Sequence, residues 1–449
     1  MTTTALVYGI AITGEAVAHA LHDRGVRVLV ADDAPNDAKS AAAAAVGTEL
    51  VGCPDSATLE RLVGLADLVC PAPAVPESHA VIEVANRLGT PIRTEIDLAY
   101  GWEQLRSGGP RPMLAVTGTD GKTTTTMMAA AMLRCAGLKV AAVGNTEVPL
   151  IAALDTGVDA FVVECSSFRL NWIDHFRSEA SVWLNLAPDH QNWHVSMQAY
   201  EQSKARMWSH NRPNDVVVGH AGDPVVMRNL VTAIGRRITF GGETADYRLV
   251  GAQLSGPTGP ITDRSAMKRD LPHDVSNALA AAAIAIESGL ASAHAVAEAL
   301  STFEHPPHRI EPLGEHAGAR WYNDSKATTP HAAITAIRGF DHVVLLAGGR
   351  NKGLDLASMA AEHDRIKAVV ALGEAAPIIH DAFARWCPVV EVTSMTAAVD
   401  AAARLASAGD TVLLSPGCAS FDWYPEGGYP ARGDDFKRLV HDYFQKGAS

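Results

Sequence analysis

The amino-acid sequence predicts an α/β chain of three blocks with mostly parallel sheets. Three observations predict it. The chain opens on a strand–helix–strand pattern, and short apolar runs then alternate with helical segments along most of its 449 residues. Two Gly/Pro-rich breaks divide that alternation into blocks of 1–109, 110–307 and 308–449. Such a length is ample for two to four domains of ordinary size, each with its own core.

In the first block, residues 5–9 (ALVYG) read as a strand, 15–24 as a helix and 26–31 as a second strand ending on Asp32-Asp33. The turn between them has Gly9 and Gly14 but Ala11 where a dinucleotide fingerprint has its middle glycine. That partial match is weak evidence for a nicotinamide cofactor, and the acidic pair suits any ribose. The second block follows the linker SGGPRP at 107–112. Residues 113–116 (MLAV) are a buried strand, and 141–143, 160–163, 181–186 and 216–219 are further strands between helices. An alanine-rich helix covers 275–288. His305-Pro306-Pro307 closes this block, because two successive prolines interrupt a helical pattern. Strands at 343–347, 368–372, 389–392 and 411–414 make up the third block.

Thirty-seven basic against 50 acidic residues leave a net charge of -13 with no basic run. Nonspecific binding to nucleic acid or anionic membrane is therefore not expected. The six cysteines lie far apart without a CxxC pair, and read as free thiols in a reducing compartment rather than a disulfide frame or zinc site. The N-terminus lacks a basic, apolar leader and no run of 18 apolar residues occurs, so the expectation is a cytoplasmic protein.

The densest chemistry is GTDGKTTTT at 118–126, directly after the MLAV strand. A strand that ends in a glycine-flanked turn and opens a helix presents unpaired backbone N–H groups to an anion. Gly118, Thr119, Asp120 and Gly121 form the turn, and the two glycines let backbone approach phosphate oxygens. Lys122 supplies a cation for the β- and γ-phosphates, and the Thr123 hydroxyl suits a magnesium ion, with Thr124 next in the helix. Val116 stands where the longer P-loop has a glycine, so the form is a short GTxGKT. A nucleoside triphosphate is the expected ligand.

Four further clusters fall at strand ends, where open α/β sheets hold their ligands. Glu164 ends an apolar strand in VVECSSF, as a magnesium ligand or as a cap for the next helix. Asp189-His190 leave the strand LNLAPDH, where His190 alone reads as a structural histidine. NDSKAT at 323–328, after Pro307-His308-Arg309, is a polar loop suited to substrate. The turns AGGRNKG at 347–353 and SPGCASFD at 415–422 suit an anionic small molecule. No GxSxG elbow is present, and Ser166-Ser167 has no evident base, which disfavours a serine hydrolase.

Taken in order, GTDGKTTTT, GNTEVPL, ECSSFRL, LNLAPDH, HPPHR, NDSKATTP, AGGRNKG and LLSPGCASFD…RG resemble the Mur ligase family over essentially the whole chain. Within it, ECSSFRL and NDSKAT resemble the segments of the branch that adds D-glutamate, and the DNPR of the branch that adds a diamino acid is absent. The resemblance implies a Rossmann-like N-terminal domain for a UDP-sugar, a central P-loop ATPase domain and a C-terminal Rossmann-like domain, acting as a monomer. It implies ATP-driven amide formation between UDP-N-acetylmuramoyl-L-alanine and D-glutamate through an acyl phosphate.

By the same resemblance Lys122 meets the β/γ-phosphates, and Thr123, Glu164 and His190 ligate or position magnesium. Lys204 aligns with a lysine that is carbamylated in the family and so becomes a metal-binding carboxylate; as a plain helical lysine it would be a solvated charge. Asn145 supports the muramoyl substrate or the metal, while Asn277, Arg309 and Asp324 hold adenine, phosphate and ribose. Lys326, Thr328, Lys352, Ser420 and Tyr429 surround the D-glutamate carboxylates. Ile12, Thr13, Gly14, Asp32 and Asp33 face uridine diphosphate, and a hinge is expected near Pro306-Pro307.

The chain departs from the family pattern at several positions. Asp120 replaces an asparagine and Glu147 a glycine, each adding negative charge near anionic ligands. Asn192 stands for an aspartate and Tyr429 for a phenylalanine. A folylpolyglutamate-type ligase, another Mur ligase and a non-catalytic Mur-like binding protein are the competing readings. Loss of Lys122, Glu164 or Lys204 would favour the last, and all three are present.

Overall fold

The computed structural model describes residues 2–146, 148–191 and 193–447, so Glu147 and Asn192 lie outside the described residues. The chain forms two compact units. One comprises Met1–Leu186, His190–Lys268 and Val275–Phe303; the other comprises Ala187–Asp189, Arg269–Asp274 and Glu304–Ser449.

The first unit holds three sheets. Its N-terminal sheet pairs β1 (Thr4–Tyr8), β2 (Arg27–Asp32), β3 (Leu50–Gly52) and β4 (Leu68–Pro71) in the order β3-β2-β1-β4, all parallel. The helix Ile12–His22 starts so close to the β1 turn that a Cβ on Gly14 would stand 1.9 Å from the Gly9 carbonyl oxygen. Gly14 is therefore required for helix-on-strand packing before any ligand is considered.

The second sheet comprises β5 (Met113–Thr117), β6 (Val140–Gly144), β7 (Ala160–Glu164), β8 (Ala180–Trp183), β9 (Val216–His220) and β10 (Arg236–Phe240). Its order is β10-β9-β8-β5-β7-β6, again all parallel. Both faces are covered, which explains the unbroken apolar runs. Along β5 the side chains alternate between cores. Leu114 and Val116 pack with the helices Lys122–Cys135 and Ala293–Thr302 and with the alanine helix from Val275. Met113 and Ala115 face a core shared with Val7, Val30, Ile96 and Tyr100. The alanine helix is almost entirely buried, as its small side chains allow.

A small antiparallel sheet follows, made of β11 (Arg248–Val250), β12 (Gln253–Gly256) and β13 (Gly259–Asp263). Sequence reading did not anticipate it. Its strands are short and polar on one face, and Leu254 is the side chain it commits fully to the core.

The second unit carries β14 (Glu311–His316), β15 (Ala319–Asn323), β16 (Val343–Gly348), β17 (Ile366–Leu372), β18 (Val389–Val392) and β19 (Thr411–Leu414). They are ordered β14-β15-β19-β16-β17-β18, parallel except for the β14–β15 hairpin. Opposite faces of this sheet feed two cores, one around Leu345 and Ile379, the other around Val344 and Phe436. The four strands expected in this block are present, and β14 and β15 are added. All six cysteines are free thiols. No helix among the described residues is long and apolar enough to cross a membrane.

Gly348 ends β16 at φ 125°, where a Cβ would stand 2.1 Å from the Leu372 carbonyl oxygen. Gly348→Ala is expected to destabilise this unit by about 3 kcal/mol, by forced φ and backbone overlap together. A drop of several degrees in the unfolding midpoint of the variant, followed by calorimetry, is the check.

Candidate functional site

The parallel sheet of the first unit brings β5, β7 and β8 out at the same edge, and their carboxyl ends carry the polar residues. At β5 the chain turns through Gly118 and Gly121 into the helix Lys122–Cys135. Gly121 has φ 83°, and a Cβ there would lie 2.5 Å from Asn277 Oδ1. The neighbouring strand end fixes the turn. Asn185 Oδ1 accepts from the backbone N–H of Thr119 (2.9 Å) and of Asp120 (3.0 Å), and its Nδ2 donates to the Asp120 carbonyl at 3.2 Å. This asparagine explains why the strand expected over 181–186 ends at Trp183: its last residues leave the ladder to hold the loop.

Lys122 Nζ donates to the carbonyls of Gly118 (2.8 Å) and Thr119 (2.7 Å). Thr123 follows it in the first turn, while Thr124 is buried and Thr125 Oγ1 lies 3.3 Å from Asn277 Oδ1. Asn277 thus ties the first turns of the helix Lys122–Cys135 to the alanine helix, close beside Gly121.

Glu164, at the end of β7, is 2% exposed. Its Oε1 accepts from Asn145 Nδ2 at 3.2 Å, and its Oε2 is buried with no hydrogen-bond partner. Asn145 reaches it because Gly144, at φ 100°, lets the β6 turn approach β7; a Cβ there would be 2.4 Å from the Glu164 carbonyl oxygen. A buried carboxylate oxygen without a donor is costly unless a cation completes it. Among the described residues no three His, Cys, Asp or Glu side chains cluster as a metal site. The orphan oxygen nevertheless fits a hard divalent cation that takes its remaining ligands from hydroxyl, water and phosphate.

Lys204 is 1% exposed on the helix Met197–Ala205. Its Nζ donates to the Gly118 carbonyl at 2.7 Å and lies 4.6 Å from the centre of the Tyr200 ring. It is not a solvated helical charge. His190 sits at φ 55° with its ring edge-on to Phe168, centroids 4.6 Å apart, and Tyr200 beyond it. Lys122, Lys204, Thr119 and Tyr200 are thus brought together, the last two with hydroxyls 3.2 Å apart. His194, which sequence reading passed over, is buried on the same wall and bonds Ser167 Oγ through Nε2 at 2.9 Å. Burial, with Lys204 and His190 adding repulsion, pushes its pKa down to about 3, so it is a neutral imidazole.

At the N-terminal sheet, Ile12 is 68% exposed and Thr13 stands beside it in the first helical turn. Asp32 is committed to the fold. Burial alone would raise its pKa, but the Lys39 bond at 2.6 Å and the N–H groups of Ala34 and Ile10 hold it below the usual range. Asp33 points outward at 59% exposure, accepting from Tyr8 Oη at 2.5 Å with His79 Nε2 at 3.0 Å.

In the second unit the three glycine- and serine-rich loops named from sequence converge at one sheet edge. Ser415 Oγ donates to Asp324 Oδ2 at 2.7 Å, the Ile310 N–H donates to Oδ1 at 3.2 Å, and the N–H of Arg350 bonds the Ala419 carbonyl at 2.8 Å. Buried Arg432, the arginine of the RG in the last motif, to which the sequence assigned no role, clamps them. Its guanidinium donates to Ser325 Oγ (2.9 Å), the Ser325 carbonyl (2.7 Å) and the Cys418 carbonyl (3.1 Å). Lys326 Nζ lies 5.4 Å from the centre of the Tyr429 ring, and Ser420 Oγ is buried without a partner. Lys352 Nζ pairs with Asp189 at 3.2 Å, and Thr328 and Arg309 are half-buried in the same unit.

Burial pushes the Asp324 carboxyl up to about 7, against the Ser415 hydrogen bond and the Arg309 charge. An acid whose folded pKa is raised binds more protons folded than unfolded between its two pKa values. Stability therefore falls as pH rises from about 4 to about 7 and levels off above. Asp324→Asn is expected to remove that slope, and urea melts at pH 5 and pH 8 on both proteins check it.

A model of the Mur ligase middle domain matches residues 116–285, and one of the Mur ligase glutamate ligase domain matches residues 308–418. A UDP-N-acetylmuramoylalanine–D-glutamate ligase of Frankia casuarinae is 40% identical over 97% of this chain and 93% of its own length. Its counterpart in Mycolicibacterium vanbaalenii is 36% identical over 97% of both chains. Among solved structures, the UDP-N-acetylmuramate-alanine ligase MurC of Thermotoga maritima superposes with a TM-score of 0.60 over 100% of both chains at 18% identity. MurF of Acinetobacter baumannii gives 0.58 over 97% of this chain and 90% of its own, at 16% identity. With relatives at this identity along nearly its full length and both domain models matched, the chain belongs to the Mur ligase family.

Proposed function

We propose that this chain is an ATP-dependent ligase that joins D-glutamate to UDP-N-acetylmuramoyl-L-alanine, a step of peptidoglycan precursor synthesis in the cytoplasm. The observation that carries the reading is the juxtaposition of an anchored phosphate loop, two lysines on its Gly118 carbonyl and the orphan oxygen of Glu164. The names of the relatives from Frankia and Mycolicibacterium support the choice of substrates. Blocks 1–109, 110–307 and 308–449 are assigned to the UDP-sugar, to ATP and to the amino acid. The net charge of -13 speaks against nucleic-acid or anionic-membrane partners, and a monomer suffices for the chemistry.

The substrate carboxylate oxygen attacks the γ-phosphorus, the bond to the β-phosphate oxygen breaks, and ADP leaves. The D-glutamate amine then adds to the acyl-phosphate carbonyl, and the tetrahedral adduct expels phosphate and loses a proton to give the amide. Three anionic groups must meet, so the residues neutralise charge and hold geometry. Lys122 screens the transferring phosphoryl oxygens, and the loop N–H groups other than the two bonded to Asn185 orient the chain of phosphates. Magnesium, when bound, would supply further charge neutralisation, with Thr123, Glu164 and His190 as its protein-side donors. Lys204 would join that set as a carbamate, which forms when its amine adds to carbon dioxide and loses a proton. Asn145 holds Glu164 and the muramoyl end. Asn277, Arg309 and Asp324 serve the nucleoside and its phosphates. Lys326, Thr328, Lys352, Ser420 and Tyr429 serve the D-glutamate carboxylates, and Ile12, Thr13, Gly14 and Asp33 the uridine diphosphate.

Phosphate release from ATP is expected to require both UDP-N-acetylmuramoyl-L-alanine and D-glutamate. Release with L-glutamate or another amino acid instead would move the chain to a different ligase reaction. Lys204→Ala is expected to cost about a hundredfold or more in turnover and to recover in part with formate or acetate; a variant that short carboxylates do not rescue argues against the carbamate. Asn185→Ala is expected to weaken ADP binding by about tenfold or more, since it frees three backbone groups of the loop. Calorimetric titration with ADP measures it.

A further inference from the structure

Arg169 belongs to no set of residues assigned above, yet it is 4% exposed and spans two sheets of the first unit. It lies five residues beyond Glu164, in the short helix Ser167–Leu170. One arm of its guanidinium, Nη1, pairs with buried Glu95 Oε2 at 2.5 Å. Glu95 is in turn anchored by the Ile151 N–H at 2.7 Å. The other arm, Nη2, donates to Thr13 Oγ1 at 3.0 Å, and Nε is buried without a partner.

An ion pair that served packing alone would be complete with Glu95. The second arm goes instead to a hydroxyl in the first turn of Ile12–His22, an eleven-residue helix whose N-terminus has no side-chain cap. Uncapped N–H groups at such an end suit an anion. Thr13 oxygen already accepts from Arg169, so its own proton is the part left to donate, and a charged donor on the oxygen strengthens that outward bond. The turn also lacks the middle glycine of a dinucleotide fingerprint, with Ala11 in that place, which limits how far backbone alone can cradle phosphate.

We infer that Arg169 is a positioning residue for the diphosphate of the nucleotide-sugar. It fixes Thr13 as a hydroxyl donor at the helix N-terminus and links that contact, through one short segment, to the Glu164 end of the site. The inference rests on the nucleotide-sugar reading above.

The test is calorimetric binding of UDP and of uridine to the wild-type protein, Thr13→Val, Arg169→Gln, Arg169→Lys and the Thr13→Val/Arg169→Gln double variant. Thr13→Val and Arg169→Gln are each expected to weaken UDP by about tenfold and to leave uridine unchanged. The double variant is expected to be no worse than either single one, because both remove the same bond. Arg169→Lys, which keeps the charge without the fork, is expected to fall between wild type and Arg169→Gln. Arg169→Gln leaves Glu95 without its cation, so if it fails to fold Arg169→Lys decides, since it keeps a charge beside Glu95 and loses the fork to Thr13; UDP affinity equal to wild type there would overturn the positioning role. UDP affinity untouched in Thr13→Val, equal losses for UDP and uridine, or losses that multiply in the double variant would each overturn the positioning role. A wild-type protein that binds ADP but not UDP would overturn the nucleotide-sugar reading, and this inference with it.

Discussion

Two lysine side-chain nitrogens share one carbonyl oxygen at the phosphate loop of the first unit, and the rest of that site is arranged around the contact. The Gly118 carbonyl accepts from Lys122 at 2.8 Å and from Lys204 at 2.7 Å, one from the helix that follows the loop and one from a helix 80-odd residues later. A carbonyl can accept twice, and here it does so from two lysine nitrogens, a contact that the N–H of a carbamylated Lys204 could keep. The loop's carbonyl side is thereby turned toward the lysines. Asn185 holds two of its N–H groups from the neighbouring strand. The loop's geometry is set by protein contacts, which is what preorganised binding of an anion requires.

Neither contact is possible without the sheet. Parallel strands end at a common edge, so β5, β7 and β8 deliver Gly118, Glu164 and Asn185 side by side although they are far apart in sequence. The same edge demands close backbone approaches, met by Gly121 against Asn277 and Gly144 against Glu164. A carboxylate at such an edge is buried by the packing that makes the edge. The unsatisfied Glu164 oxygen follows from its position, and it is useful only if a cation arrives.

The α/β class, the strands flanked by long apolar runs and the phosphate loop were legible in the sequence because each depends on local pattern: period, glycine spacing and a lysine at a fixed offset. The antiparallel strands β11 to β13 and β14 were not legible. Short polar strands have no periodicity to read, and their pairing is decided by what they cover. Among site residues, Glu164 and Lys122 announced themselves by residue type at a strand end. Asn185 did not, although its side chain determines the loop. An asparagine beyond a strand end has many ordinary uses, and only the third dimension shows which one applies. Asp32 and Gly14 illustrate the converse. Both were read for a ligand alone, yet the structure commits the Asp32 carboxylate to Lys39 and two backbone donors, and gives Gly14 a packing duty on Gly9 besides any ligand it meets. Asp33 remains the outward carboxylate of the pair.

The two arginines that stand in the motifs but drew no role from the sequence share a physical logic. Arg169 and Arg432 are both nearly excluded from water, and each uses a planar fork to reach groups that no backbone ladder joins. Arg432 gathers the Ser325 and Cys418 carbonyls and the Ser325 hydroxyl, with Gly349 close enough that a Cβ would stand 3.2 Å from its Nη1. Burial lowers its pKa to about 10, which still leaves it charged at neutral pH. A buried guanidinium is expensive, and hydrophobic packing would hold two loops together with less desolvation. Packing cannot, however, fix where a carbonyl or hydroxyl points. Several donors at set angles can, and a lysine in the same place could not. Where loops must present polar groups to small anions, directional ties of this kind set the geometry that apolar packing leaves free.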